Sequence, residues 1–222
     1  MLIIDNINKT VKEDLHEVIH KGSKLSIAAS CFSIYAYKEL KKQLENISEL
    51  RFIFTSPTFI TDKTPKAQRE FYIPRISRES SLYGTEFEVK LRNELTQKAI
   101  AKECADWIRR KAVFKSNVTQ EQMMGFMNVD ESTYLPLNGF TTVDLGCERG
   151  NNAYYTVMKT ESFENANHYI KLFEQLWNDK KQLQEVTDIV IENMFKSGGT
   201  SALLSAVSGL DDFELICFLV VK

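Results

Sequence analysis

No run of apolar residues in this 222-residue chain approaches the roughly 20 needed to cross a bilayer as a helix, so no membrane partner is expected. The first residues, Met1-Leu2-Ile3-Ile4-Asp5, lack the cationic start and apolar stretch of a secretory signal, which points to a cytoplasmic location. Histidine is scarce, with three residues at His16, His20 and His168. His16 and His20 stand four apart, a spacing that could touch a metal. No nearby Cys or carboxylate pair completes a ligand set, so neither a metal nor a cofactor is expected. A Gly-rich loop of the form GxxxxGK followed by Ser or Thr is missing, which excludes a motor or kinase site in this chain. No GxGxxG follows a strand and no GxSxG elbow occurs, so dinucleotide binding and serine-hydrolase chemistry have no support. The four cysteines, Cys31, Cys104, Cys147 and Cys217, are dispersed without a CxxC pair, the pattern of reduced, partly buried thiols.

What the chain does have is ordinary globular composition, 43% hydrophobic and 26% charged, with an uneven distribution of sign. Residues 62 to 115 hold 13 Lys and Arg against 8 Asp and Glu, while the whole chain is at −2. A basic middle in an acidic chain suits phosphate, and it equally suits a solvated surface.

Val11, Leu15, Val18 and Ile19 fall at helical spacing and predict a helix over 9–21, closed by Lys21-Gly22. Leu25 to Ala29 reads as a buried strand, Ser33 to Asn46 as a helix, and Arg51 to Phe54 as a second buried strand. Strand, helix, strand with short connections implies a right-handed crossover and a parallel pair. Residues 55–82, with Pro57, Pro65 and Pro74, form a polar excursion. Glu86 to Leu91 alternates like a strand. Leu95, Ala99, Ile100, Cys104, Trp107 and Ile108 form one stripe of a helix over about 93–111. Strands are then expected over 112–115, 122–129, 139–145 and 153–157, with turns at Asp130-Glu131-Ser132, Leu137-Asn138-Gly139 and Arg149-Gly150. Helices are expected over 163–178 and 183–195. One domain over 1–195 and an atypical, apolar tail over 196–222 complete the outline.

Three segments carry a resemblance: Tyr83 to Ile108, Asn138 to Gly146, and Leu172 to Asp179 with its Phe173-x-x-Leu176-Trp177-Asn178 ending. Together they resemble the phospholipase D-like N-terminal domain that precedes bacterial DEAD/DEAH-type helicases. The resemblance covers roughly residues 10 to 195 and implies an α/β fold, a three-layer α/β/α sandwich around a mixed sheet. It also implies phosphodiester chemistry through an HxK motif, in which the His attacks phosphorus and the Lys neutralises phosphate oxygens. This chain departs there. Within Met123-Met124-Gly125-Phe126-Met127, Met124 stands in the His place and Phe126 in the Lys place, so the motif is degenerate and no catalytic residue is assigned.

The resulting expectation is a non-catalytic accessory domain of a helicase or restriction-type system that binds or positions DNA. Its partners would be DNA and a helicase motor in cis or trans, with a homodimer as a further possibility. The candidate nucleic-acid contacts are Arg109, Arg110, Lys111 and Lys115, with Asn138, Thr141, Thr142 and Arg149 near the vestigial pocket. For the four basic residues a solvated helix end competes with that role, and for Asn138 and the threonines ordinary turn chemistry does. Two other readings stay open: a working phosphodiesterase with a partner-supplied or nonstandard nucleophile, and an assembly module.

Overall fold

The computed structural model describes residues 2–57, 94–119, 121–148, 156–161 and 163–196. Most of the polar excursion, the alternating stretch 86–91, Arg149 and the tail beyond 196 therefore lie outside the described residues.

The strands are β1 (Leu2–Ile4), β2 (Lys24–Ala29), β3 (Glu49–Phe54), β4 (Ala112–Asn117), β5 (Phe126–Val129), β6 (Ser132–Leu135), β7 (Val157–Thr160) and β8 (Leu183–Glu185). The helices, in chain order, are α1 (Val11–Val18), α2 (Ile34–Leu44), α3 (Glu94–Lys111), α4 (Phe163–Asn178) and α5 (Thr187–Lys196). The strands form one sheet in the order β1-β7-β6-β5-β2-β3-β4-β8. β2, β3 and β4 are mutually parallel, and every other pairing is antiparallel. The fold is an α/β/α sandwich on a mixed sheet, with α1, α2, α3 and α5 on one face and α4 on the other.

Local chemistry explains the helix starts. At α1, Glu13 N–H donates to Thr10 Oγ1 (3.1 Å) and Thr10 N–H donates to the Glu13 carboxylate (2.8 Å), a reciprocal capping box. At α2, the Ser33 hydroxyl accepts from Tyr35 N–H at 3.1 Å. The larger core lies between the sheet and the four-helix layer. Phe32, Phe52, Phe54, Phe114 and Phe140 meet there at centroid distances of 4.9 to 5.8 Å. Trp107 joins α3 to α2 by donating to Leu44 O at 3.0 Å. On the opposite face α4 sits over Ala28, Ile53 and Phe126. There Arg51 lies 5.2 Å from the Phe173 ring and Lys115 Nζ lies 4.4 Å from the Trp177 ring, so two cations form part of the packing.

The structure corrects several expectations. Residues 139–145 are not a strand. Phe140 makes a single bridge to Phe32, and the chain then turns because Thr141 Oγ1 donates to Asp144 Oδ2 (2.5 Å) and accepts from Asp144 N–H (3.1 Å). A Thr and an Asp three apart offer the backbone a local alternative to a sheet ladder. The helix expected over 183–195 begins at Thr187, because Leu183–Glu185 pairs with β4 as an edge strand. The strand expected over 122–129 starts at Phe126, the one expected over 153–157 runs over 157–160, and β1 and β6 were not anticipated.

A buried ion cluster ties α1 to the antiparallel wing. Asp14 is 1% exposed and lies 2.7 Å from Lys9 Nζ and 2.9 Å from Lys159 Nζ, while the Tyr134 hydroxyl donates to it at 2.6 Å. Burial pushes the Asp14 carboxyl up, but the hydrogen bonds from Lys9, Tyr134 and Lys159 outweigh it and hold the group below its ordinary value. The stability it contributes is therefore complete above its unfolded value near ~3.9 and is lost as pH falls through the lower folded value. Asp14→Asn should destabilise the fold by about 3 kcal/mol near neutral pH, since it leaves the buried Lys159 with the exposed Glu161 carboxylate as its one charged partner among the described residues. Urea unfolding from neutral to acid pH should also show a shallower acid limb in the variant. An unchanged midpoint and limb would show that the cluster is not holding the wing.

Candidate functional site

Every parallel strand ends at the same edge of the sheet, and polar residues follow each one: Ser30 after β2, Thr55 and Ser56 after β3, Asn117 and Thr119 at the end of β4. In open α/β sheets this carboxyl edge is where ligands sit. The antiparallel strands add the approach to β5, Glu121–Gly125, and the exit from β6, Pro136–Asp144. Together these segments form a rim.

The rim is held by backbone groups more than by reactive side chains. Ser30 N–H (2.9 Å) and its hydroxyl (2.7 Å) both donate to Asn138 O. Phe140 N–H donates to Cys31 O and Ser33 N–H to Phe140 O, each at 2.9 Å, which lays the 138–140 segment against the start of α2. Asn117 Nδ2 donates to Thr55 O (3.1 Å) and Glu121 O (2.8 Å), and its oxygen accepts from Thr119 N–H at 2.8 Å. Two glycines permit this crowding. A Cβ on Gly125 would stand 1.8 Å from Leu137 O, and one on Gly139 would stand 2.7 Å from Cys31 Sγ.

The residues singled out from sequence fall in three places. Asn138, Thr141 and Thr142 are on the rim, where Asn138 is exposed and both threonines are buried. Met124 is also there, 50% exposed, whereas Phe126 is buried in β5 and faces α4, 5.4 Å from the Tyr169 ring. Arg109, Arg110 and Lys111 end α3 just before β4 begins, on the opposite edge of the sheet. A six-residue strand separates the two edges by roughly 20 Å. Lys115 is at neither edge. It lies under α4, and its Nζ donates to Trp177 O at 2.8 Å, capping that helix.

The helix-end cations differ among themselves. Arg109 pairs with Asp106 (2.7 Å) and Arg110 with Glu45 (3.2 Å), and both are about half exposed. Lys111 instead donates to Glu45 O (2.7 Å) and Ile47 O (2.6 Å), closing the C-terminal end of α2. Sequence reasoning passed over Ser30, Cys31, Asn117 and Asp144. The usable signal was the change from apolar to polar at the end of each buried strand.

Among the described residues, no group of three or more His, Cys, Asp or Glu could hold a metal ion. His16, His20 and His168 are all exposed, and none belongs to the rim segments. Cys104 and Cys147 are free thiols. Burial pushes the Cys147 thiol up to about 11, against an opposing pull from Lys12, so it is protonated at neutral pH.

No protein-family model and no curated protein matches the chain. Among solved structures it is similar to TrmBL2, an archaeal chromatin protein with a novel mode of DNA binding, at 10% identity and a TM-score of 0.41, over 83% of this chain and 52% of that one. It is similar also to phosphatidylserine synthase from Haemophilus influenzae Rd KW20, at 10% identity and a TM-score of 0.42, over 98% of this chain and 46% of that one. The chain spans about half the length of each. At this level of likeness neither protein's activity transfers to this chain, and the class rests on its own architecture: an α/β/α sandwich on a mixed sheet, with a polar rim at the ends of its parallel strands.

Gly125→Ala should destabilise the protein by about 1–3 kcal/mol, because the neighbour it meets is a backbone carbonyl that cannot turn aside. Thermal unfolding checks this, with Gly22→Ala as the comparison. Gly22 has open space around it but a φ of +90°, so that variant carries backbone strain without overpacking. A Gly125→Ala protein with wild-type stability would mean that the rim is loosely joined.

Proposed function

We propose that the chain is a non-catalytic, phospholipase D-like accessory domain of a helicase or restriction-type system, contributing DNA binding or positioning in the cytoplasm. One observation carries the non-catalytic part. At the two positions where the resemblance calls for His and Lys, the side chains are Met124, a thioether on the rim, and Phe126, a ring turned toward α4. Neither attacks phosphorus nor neutralises a phosphate oxygen, and among the described rim residues no imidazole takes their place.

The DNA-binding part is supported by the basic surplus over 62–115 and by the exposed guanidinium groups of Arg109 and Arg110. Their carboxylate partners are themselves exposed, so phosphate can replace them at little cost. Lys111 has a structural duty in closing α2 and does not belong in a test of binding.

Two measurements test the proposal. Purified chain should turn over no phosphodiester substrate, with or without a metal chelator. Chelator-resistant turnover would overturn the non-catalytic reading. Arg109→Ala combined with Arg110→Ala should flatten the dependence of log K on log salt by up to about 1.8 units for duplex DNA, at 0.9 per phosphate contact. The loss should be alike for all sequences, since phosphate contacts carry no base readout. Salt-independent binding, or none, would favour an assembly module instead.

A further inference from the structure

The outer surface of the α2–α3 pair carries more positive charge than the sequence reading assigned to it, and its pattern is specific. On α2, Tyr37, Leu40 and Leu44 turn inward, while Lys38 and Lys42, one turn apart, are exposed on the crest. On α3, Cys104, Trp107 and Ile108 turn inward, and Lys102 and Arg109 share the exposed side. The acids of this face are matched one to one: Glu103 to Lys41 (2.8 Å) and Glu45 to Arg110 (3.2 Å) across the helices, and Asp106 to Arg109 (2.7 Å) within α3. Glu39 faces the other way and pairs with Lys12 of α1. Among the described residues the face therefore holds six bases, Lys38, Lys41, Lys42, Lys102, Arg109 and Arg110, against three acids. Lys38, Lys42 and Lys102 have no ion-pair partner among the described residues.

We infer that this face, and not the rim, is the docking surface for a nucleic-acid backbone, with Lys38 and Lys42 as principal contacts beside Lys102, Arg109 and Arg110. The inference rests on the DNA-binding reading above and relocates its contacts. Lys41–Glu103 and Arg110–Glu45 cross between the two helices, and the unmatched Lys38 and Lys42 on α2 and Lys102 on α3 stand as two rails on either side. Helix axes in contact lie about 8–10 Å apart, so the rails present fixed positive charge on the scale of one nucleic-acid strand. Among the described residues a backbone laid there meets a net charge of +3, and Lys38, Lys42 and Lys102 can meet it without giving up an ion pair. Asn138, Thr141 and Thr142, at the far edge of the sheet, take no part.

The test uses the full chain with a labelled duplex and its single strand. Lys38→Ala combined with Lys42→Ala removes two exposed side chains that make no ion pair among the described residues, and Ala favours the helix, so the fold is retained. The expected result is weaker binding, with the salt slope reduced by about 1.8 units on duplex or about 1.4 on single strand. Lys171→Ala combined with Lys180→Ala, on the α4 side, should leave the slope unchanged. Wild-type binding that Lys38→Ala/Lys42→Ala leaves unaltered, while Arg109→Ala/Arg110→Ala weakens it, would overturn this inference and leave the DNA-binding reading standing. Binding of labelled poly-glutamate with the same affinity and slope would overturn the nucleic-acid assignment of the face. No salt-dependent binding of either DNA form by the wild type would overturn both.

Discussion

Strand β2 has no solvent face. Leu25, Ser26, Ile27, Ala28 and Ala29 are all buried, so the strand needs a hydrogen-bonded neighbour on each side and a helical layer over each surface. The crossover through α2 supplies the parallel neighbour β3, and β5 returns antiparallel on the other side. Once those two pairings form, the remaining strands have one place each, and the two layers differ in kind. The side toward α1, α2, α3 and α5 carries the larger residues of the central strands and a cluster of five phenylalanines. The side toward α4 carries Ala28 and Ser26, and the room left by these small residues is taken by Arg51, whose guanidinium donates to Ser26 Oγ at 3.1 Å and to the Glu174 carboxylate at 2.5 Å.

Much of the positive charge serves the fold. Lys159 and Lys9 neutralise a buried carboxylate, Arg51 and Lys115 pack against the rings of α4, and Lys111 closes α2. A surplus counted along the sequence therefore overstates what is offered to a ligand. A basic side chain earns a place at an interface by exposure and by the absence of a competing duty, which is why Lys38 and Lys42 are favoured over Lys111 and Lys115.

The rim stands where open α/β sheets place their ligands. Strand direction alone brings Ser30, Thr55, Asn117 and Asn138 to one edge. Their donors and acceptors mainly join the loops to one another, as in the two bonds from Ser30 to Asn138 O. The close approaches at Gly125 and Gly139 leave little space between the segments.

The long periodic elements were legible in the sequence. α4 runs over the residues expected of it, 163–178, and α2, β2, β3 and β4 lie within two residues of expectation, because a repeat of 3.6 or a bounded apolar run is written locally. The short strands β1, β6 and β8 were not, since three or four residues become a strand only when a distant partner supplies the ladder, as β4 does for Leu183–Glu185. The expected strand at 139–145 failed because the hydroxyl and carboxylate of Thr141 and Asp144 bond locally before any ladder forms. The site divides the same way. Residue types at Met124 and Phe126 motivate the non-catalytic proposal, and amphipathic spacing placed Arg109 to Lys111 at a helix end. Only the tertiary structure decided that this helix end and Asn138 stand on opposite edges of the sheet, and which cations are already engaged. Those are properties of strand direction and long-range pairing, which no local stretch of sequence encodes.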